Sequence, residues 1–374
     1  MSKVEFKPPT PPTSFPVWNK KPYATSDCAQ VTKAITTNIV NSLTPTVSTI
    51  ATSLGTAVWF GGTAAPNGMI YFAPGHATNI AKLDPSTDTI TLIGTSLGTA
   101  TNKYMSGALA PNGHIYFIPY RSGNILKLDP TTDTVTTIAA AYPSGSFNGC
   151  IVSPQGNIYA VPQSYTGMLK IDTSNDTLSL LTVPAVNVST GRWNGAIVAE
   201  DGKIYMVPNS SNAVLEVDPA TDTMTTYVVY DTALRNQYNG CILGPNGLMY
   251  GIPNESFQVM IFNPITKTAT FVSTLGGGGY MYGGTMGPDG VIYAQGWANN
   301  SVMGFSTLTN QKIMYYPAGK PTSGIWYGGG GVMAYNGNVY LPANNDSGVF
   351  SKISFAGNYT MSTDWALSRQ VNHF

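Results

Sequence analysis

Short runs of alternating hydrophobic and polar residues fill most of the chain, and these runs recur with a nearly fixed period. Each period contains a turn dipeptide ending in glycine, then two residues, then a tyrosine. The seven tyrosines are Tyr71, Tyr116, Tyr159, Tyr205, Tyr250, Tyr293 and Tyr340, spaced by 45, 43, 46, 45, 43 and 47 residues. This period is typical of the four-stranded sheets, or blades, of a β-propeller, so the spacing predicts seven blades.

Each repeat predicts four antiparallel strands. The first is short, apolar and rich in glycine, as in residues 148–152, and the second is aromatic and β-branched, as in residues 157–162. The third ends at Asp-Pro, as at Asp129 and Pro130, a pair that favours a type I turn. The fourth is rich in threonine and has the alternation of an outer edge strand. The predicted fold is all-β, a seven-bladed β-propeller.

The two ends of the ring must also join. Residues 52–57 recur 43 positions later as residues 95–100, and residues 46–50 match the outer-strand pattern of residues 89–93. An outer strand from about residues 44–52 is therefore expected to complete the last blade. The alternative is that residues 359–362 supply that strand. In either case residues 44–374 form the propeller.

Residues 1–43 have a different composition, and they predict an extended N-terminal arm. A proline-rich stretch at residues 8–13 favours polyproline II, and residues 27–43 predict one short, weakly amphipathic helix. Five lysines against Glu5 and Asp27 give the arm a net charge of +3. We expect it to bind a protein partner, and an unstructured leader is the alternative. The partner-binding candidates are Lys3, Lys7, Phe15, Trp18, Lys20 and Lys21.

Charge and hydropathy exclude two classes of function. The 18 basic and 18 acidic residues cancel, whereas a nucleic-acid binder needs a basic excess. No apolar run reaches the 18 residues that favour a membrane-spanning helix. The N-terminal residues lack the apolar core of a secretory signal, so we expect synthesis in a cytoplasm. Charged residues make up 10% of the chain, against roughly 25% in typical soluble domains, so neutral polar residues must solvate the surface.

The sequence indicates no catalytic residue, metal or cofactor. His76, His114 and His373 fall in loops or the C-terminal tail, and none lies on a predicted inner strand. The cysteines lack the spacing of a zinc site. Four pairs of aspartates flank the turns before the outer strands and offer a weak alternative of calcium binding, but turn formation explains the first member of each pair. These pairs are Asp84 and Asp88, Asp129 and Asp133, Asp172 and Asp176, and Asp218 and Asp222.

One group of residues suggests a binding site. Three predicted inner strands begin with an aromatic residue followed by Asn-Gly, and symmetry brings equivalent positions together around the central channel. Aromatic rings beside amides suit sugar ligands, and the alternative is that the aromatics only wedge neighbouring blades together. The candidates for a glycan-binding face are Phe147, Asn148, Trp193, Asn194, Tyr238, Asn239, Trp326 and Tyr327.

The repeat Pro-Asn-Gly-x-Ile-Tyr-x-x-Pro, followed by Leu-x-Asp-Pro-x-Thr-x-Thr, resembles the propellers of the streptogramin-lyase-like (Vgb) and NHL-like group. That resemblance covers nearly all of residues 44–374 and implies the fold. The lyases are expected to use an active-site histidine with acidic metal ligands, and no histidine on an inner strand of this chain matches. The repeat is also similar to those of bacteriophage virion proteins.

The resemblance and the arm together lead us to expect a non-enzymatic virion structural protein, a capsid decoration or tail component assembled in the host cytoplasm. Residues 1–43 would bind other virion proteins, and the propeller would contact host surface glycans, with no role in nucleic-acid binding or membrane insertion. One alternative is a lyase-like or lactonase-like enzyme with a metal in the channel. The other is a free carbohydrate-binding module.

Overall fold

A computed structural model describes residues 44–50, 54, 57–94, 96–140, 142–143, 146–186, 192–230, 236–273, 281–296, 301–316, 330–342 and 349–356. These residues form 28 strands in seven antiparallel sheets of four, a seven-bladed β-propeller as predicted. The predicted arm and helix at residues 1–43 and the alternative closing strand at residues 359–362 lie outside the described residues. Among the described residues no helix is long and apolar enough to span a bilayer.

The first six blades each contain four consecutive strands, from the innermost to the outermost. Blade 1 consists of β2 (Trp59–Ala64), β3 (Ile70–Pro74), β4 (Ile80–Asp84) and β5 (Thr89–Ile93). Blade 2 consists of β6 (Tyr104–Leu109), β7 (Ile115–Pro119), β8 (Asn124–Asp129) and β9 (Thr134–Ala139). Blade 3 consists of β10 (Phe147–Val152), β11 (Ile158–Pro162), β12 (Gly167–Asp172) and β13 (Thr177–Thr182).

The same order continues in the next three blades. Blade 4 consists of β14 (Trp193–Val198), β15 (Ile204–Pro208), β16 (Ala213–Asp218) and β17 (Thr223–Val228). Blade 5 consists of β18 (Tyr238–Leu243), β19 (Met249–Pro253), β20 (Gln258–Asn263) and β21 (Thr268–Ser273). Blade 6 consists of β22 (Met281–Met286), β23 (Val291–Gly296), β24 (Val302–Ser306) and β25 (Lys312–Tyr315).

Blade 7 closes the ring with strands from both ends of the chain. It contains β26 (Val332–Met333), β27 (Val339–Leu341) and β28 (Phe350–Ala356), and its outer strand is β1 (Thr44–Ile50). β1 pairs antiparallel with β28, from Thr44 opposite Ala356 to Ile50 opposite Phe350. This pairing agrees with the N-terminal closure expected from the sequence, and it ties the first blade to the last through contacts distant in the chain.

Turn residues set the geometry of each blade. Between the first two strands the glycine of the turn dipeptide has a positive φ, 82° at Gly68 and 85° at Gly113, which favours glycine because a side chain would clash there. Between the third and fourth strands Asp84 accepts the backbone N–H of Ser86 at 2.8 Å, an Asx turn. The turn ends at Asp88, whose φ is 57°.

The core lies between the blades. One cluster joins Trp59 and Phe72 of blade 1 to Val332, Tyr340 and Phe350 of blade 7. The outer strands instead alternate between exposed and half-buried residues, as in β9. Because each blade buries both of its faces against its neighbours, no single blade has a complete core of its own.

The two faces of the disc differ in their connections. On the lower face lie the turns between the first and second strands, such as residues 65–69, and those between the third and fourth, such as residues 84–88. On the upper face lie the residues that precede the first strands, such as Arg192 and Gln237, and the connections between the second and third strands. Thr44, opposite Ala356 at the end of a third strand, lies at the lower face.

Candidate functional site

The first strands of blades 3, 4 and 5 begin with a β-bulge at the upper face. Phe147 pairs with Pro162 and Cys150 with Ala160, so three steps on β10 match two on β11. Blades 1, 2, 4 and 5 repeat this irregularity. In blades 3, 4 and 5 the glycine after each asparagine has a positive φ, 93° at Gly149, which is typical of one class of bulge. The Asn-Gly pairs predicted from the sequence as the start of a strand therefore form this bulge.

The three aromatic residues in front of these pairs are buried, with exposed fractions of 1% for Phe147 and 0% for Trp193 and Tyr238. The Trp193 indole N–H donates to the carbonyl of Ala213, 2.8 Å away at the start of β16. The expectation that these rings face the channel mouth is corrected for these three residues. They pack inside the propeller, as in the alternative interpretation given from the sequence. Burying a large aromatic ring is more favourable than leaving it exposed to water.

The amides beside them occupy equivalent positions on three neighbouring blades. Asn148, Asn194 and Asn239 have exposed fractions of 5%, 1% and 4%. The Asn194 side-chain amide donates to the Asn239 side-chain carbonyl, which links the first strands of blades 4 and 5. The side-chain oxygens of Asn148 and Asn194 have no hydrogen-bond partner among the described residues. Buried acceptors of this kind favour a donor such as water or a ligand hydroxyl, so ligand binding by these amides stays a prediction.

Backbone hydrogen bonds also connect blades 3 to 5 along the upper face. Arg192 N–H donates to Gln163 O at 3.0 Å, and Asn209 N–H to Arg192 O at 3.0 Å. Gln237 N–H donates to Asn209 O at 2.7 Å, and Asn254 N–H to Gln237 O at 2.9 Å. This zigzag holds the residues around the amides in place. These bonds could not be predicted from the sequence, because backbone bonds between blades have no residue-type signature.

The remaining predicted binding residues lie outside the described residues. These are Trp326 and Tyr327 of the proposed glycan face and Lys3, Lys7, Phe15, Trp18, Lys20 and Lys21 of the arm. Their roles stay predictions.

The second aspartate of each turn pair has a structural role that the sequence did not reveal. Asp133 of blade 2 accepts the Tyr71 hydroxyl at 3.0 Å and the Lys82 ammonium at 2.6 Å, and both donors belong to blade 1. We call this arrangement a clasp. Equivalent clasps join Tyr116 and Lys127 to Asp176, Tyr159 and Lys170 to Asp222, and Tyr340 and Lys352 to Asp88.

The clasp between blades 4 and 5 has its charges reversed. The position of the lysine is taken by Glu216, and that of the aspartate by Lys267, whose φ of 61° matches the 58° of Asp222. Lys267 lies 2.7 Å from one Glu216 oxygen, and Lys203 lies 2.6 Å from the other. Although burial acts to raise it, hydrogen bonds from the two lysines lower the pKa of Glu216 to about 2. The two residues that meet at this junction are therefore still oppositely charged, but the acidic and the basic residue have exchanged positions.

The seam between blades 6 and 7 lacks a clasp. Gly304 stands where blades 1, 2, 3 and 7 have lysine, and the outer strand of blade 7 comes from β1. Tyr293 instead donates to Asp289 of its own blade at 2.7 Å. Asp289 is 5% exposed, and it forms no ion pair among the described residues. Burial raises the pKa of Asp289 to about 6, against a lowering by the Tyr293 hydrogen bond.

The groups that could perform chemistry or hold metal are dispersed. Among the described residues, no three His, Cys, Asp or Glu side chains form a group that could hold a metal ion. His76 lies 2.9 Å from the side-chain oxygen of Asn102, and His114 is half-buried next to the turn before β7. Cys150 and Cys241 are free thiols in the core, where burial raises the pKa of Cys150 to about 12.

Solved structures with this fold include two antibiotic lyases. The chain is 12% identical to a catalytically inactive variant of virginiamycin B lyase from Staphylococcus aureus with quinupristin, covering 83% of this chain and 99% of the lyase with a TM-score of 0.69. A streptogramin B lyase is 16% identical over 83% of this chain and 98% of the lyase, with a TM-score of 0.69.

A third similar structure is the extracellular domain of a putative hybrid two-component system from B. thetaiotaomicron. It is 13% identical, covering 85% of this chain and 44% of that chain, with a TM-score of 0.62. No protein family and no curated protein matches the sequence. At these identities the comparisons establish the β-propeller fold and nothing about activity.

Proposed function

We propose that the protein is a non-enzymatic structural component of a bacteriophage particle. In this proposal residues 1–43 bind another virion protein, and the propeller is a rigid disc exposed on the capsid or tail. The sequence supports the proposal through the basic, proline-rich arm and through the similarity of the repeat to virion proteins.

The observation that carries the non-enzymatic part is the use of the acidic side chains. Four aspartates cap turns through their side-chain oxygens: Asp84, Asp129, Asp172 and Asp218. Four more bind tyrosine and lysine of the preceding blade: Asp88, Asp133, Asp176 and Asp222. Asp201 and Glu216 belong to the reversed clasp. Carboxylates that hold turns and blades together suit a rigid display scaffold, since general acid–base catalysis needs such groups positioned at the substrate.

The test of the virion role is the composition of the particle. Purified particles from cells that produce the protein are analysed by mass spectrometry and electron microscopy. We expect the chain at a fixed stoichiometry, and we expect deletion of residues 1–43 to remove it from particles while the propeller still folds. Particles that lack the full-length chain would refute the proposal, and undiminished incorporation of the truncated chain would refute anchoring by the arm.

A free carbohydrate-binding module is the second candidate, and the unpaired side-chain oxygens of Asn148 and Asn194 favour it. Glycan-array binding by the full chain that is lost in Asn194→Ala and kept in Asp129→Asn would support glycan contact at the upper face. Binding that survives Asn194→Ala would place the contact elsewhere. Near-stoichiometric metal in the purified protein, together with opening of a cyclic ester substrate, would instead favour the lyase-like or lactonase-like enzyme.

A further inference from the structure

The turns of blades 5 and 6 on the lower face differ from their equivalents. At the third position of the turn between the third and fourth strands, blades 1 to 4 have Ser86, Thr131, Ser174 and Ala220. Blades 5 and 6 have Ile265 and Leu308, whose exposed fractions are 83% and 53%. Turn chemistry does not require these side chains, because the backbone N–H of Ile265 is bound by the Asn263 side chain at 2.8 Å. Ile265 and Leu308 are therefore exposed aliphatic side chains at equivalent turns of adjacent blades, available for contact with another segment.

Uncompensated negative charge lies on the same face. Asp84, Asp129, Asp172 and Asp218 occupy the first position of the turns of blades 1 to 4, and none of them forms an ion pair with a described residue. The corresponding residues of blades 5 and 6 are Asn263 and Ser306. Around the ring, an acidic arc on blades 1 to 4 is therefore followed by an apolar pair on blades 5 and 6.

Blade 7, which lies between the apolar pair and the acidic arc, is where residues 1–43 join the propeller. Thr44 pairs with Ala356 at the lower face, so the point at which residues 1–43 are attached lies on that face. Residues 1–43 carry five lysines against two acidic residues, with Phe15 and Trp18 among them. Their composition, basic with aromatic side chains, complements a face that is acidic with aliphatic side chains.

We propose that residues 1–43 dock on the lower face of their own propeller, with lysines near the acidic arc and aromatic side chains against Ile265 and Leu308. The proposal rests on the proposed role of the arm, and it identifies the lower face as the side on which the arm is carried before a virion partner binds it. Reach is sufficient: the residues between Lys21 and Thr44 extend to about 70 Å, and a compact domain of this size has a radius of gyration of about 20 Å. Attachment to the same chain also raises the effective concentration of the arm above that of a second copy.

The first measurement is carbodiimide cross-linking of the full chain, which joins lysine to carboxylate without a spacer. Isotopically labelled and unlabelled protein are mixed and the products are analysed by mass spectrometry. We expect cross-links within one chain from Lys3, Lys7, Lys20 or Lys21 to the acidic arc. Cross-links between labelled and unlabelled chains would make a second copy the occupant and overturn the proposal. So would cross-links confined to Glu255 on the upper face.

The second measurement is the rate of tryptic cleavage after Lys20 in the full chain, because a docked arm is protected. A variant with Asp→Asn at 84, 129, 172 and 218 should be cleaved about tenfold faster at low salt, and high salt should remove the protection of the wild type. The turns should survive, since asparagine already fills this role at Asn263. Ile265→Ser with Leu308→Thr, which copies residues of other blades, should also speed cleavage, and Glu255→Gln is the matched control.

Equal cleavage rates in all variants and at all salt concentrations would overturn docking. The quadruple variant keeps an intact arm, so its incorporation into particles can be measured separately. If the quadruple variant loses the protection of its arm but is still incorporated normally, both proposals stand, because docking of the arm on the propeller and anchoring of the arm in the particle are then separate events. Normal protection in the wild type with no incorporation would refute the virion role alone.

Discussion

Replacing Asp289 by asparagine tests the electrostatics of the seam between blades 6 and 7. The wild-type carboxylate is 5% exposed and accepts bonds from the Val291 N–H at 3.2 Å and the Tyr293 hydroxyl at 2.7 Å. Asparagine occupies the same position in blades 1, 2, 5 and 7. In blades 1, 2 and 5 its oxygen accepts the N–H two residues on, and its amide donates to the tyrosine, as Asn246 does to Tyr250 at 2.9 Å. Asp289→Asn should therefore adopt a geometry the fold already uses.

The magnitude follows from proton linkage. Burial raises the pKa of Asp289 from its ordinary 3.8 to about 6, so the folded state holds the proton more tightly than the unfolded state. This tighter proton binding adds to the free energy of unfolding in full below pH 3.8, and the added stability is lost as the pH rises through 6. The loss is about 3 kcal/mol, because each pKa unit corresponds to about 1.36 kcal/mol. Asp289→Asn removes this titration, so it should raise the free energy of unfolding by up to about 3 kcal/mol above pH 7 and by little below pH 4.

The assay is urea unfolding of both proteins at several values between pH 4 and pH 8. A stability difference that does not change with pH would refute the reasoning, because a buried carboxylate must titrate in this window. Asn246→Asp in blade 5 is the matched control. It introduces a carboxylate at the equivalent position, where the neighbouring blade has Asn310 in place of an aspartate, so its stability should fall as the pH rises.

Three further outcomes test the clasps and the buried aromatic residues. Asp133→Asn removes the ion pair with Lys82 and should lower the free energy of unfolding by about 1 kcal/mol, measured by urea unfolding; no change would mean that the clasp is not stabilising. Glu216→Lys and Lys267→Asp should each destabilise, and the double variant should lose less than the sum, because it restores opposite charges; additivity in a double-mutant cycle would contradict direct pairing. Trp193→Phe keeps an aromatic side chain but loses part of its volume and the indole hydrogen bond to Ala213, so the free energy of unfolding should fall by about 2 kcal/mol. Unchanged stability in that variant would show that the indole bond is not made.

Local patterns in the sequence were sufficient for most of the fold. The intervals between tyrosines determined the number of blades, and the Asn-Gly and Asp-Pro turns placed the strand ends, because these residues restrict the backbone by themselves. The copy of residues 95–100 at residues 52–57 also indicated the N-terminal closing strand. The candidate site was predicted only in part. Asn194 and Asn239 do come together, whereas Phe147, Trp193 and Tyr238 are buried beneath the surface.

Tertiary structure decided how side chains distant in the chain are paired. Asp133 follows the turn signal of its own blade, yet its carboxylate binds Tyr71 of the preceding blade, 62 residues earlier. The repeat places Lys267 and Glu216 at the positions of an aspartate and a lysine, but only the ring shows that these two positions meet on neighbouring blades. Propensity and turn chemistry act over a few residues, so they determine strands and turns. Burial and charge pairing depend on which blades become neighbours, and that depends on closure of the whole ring.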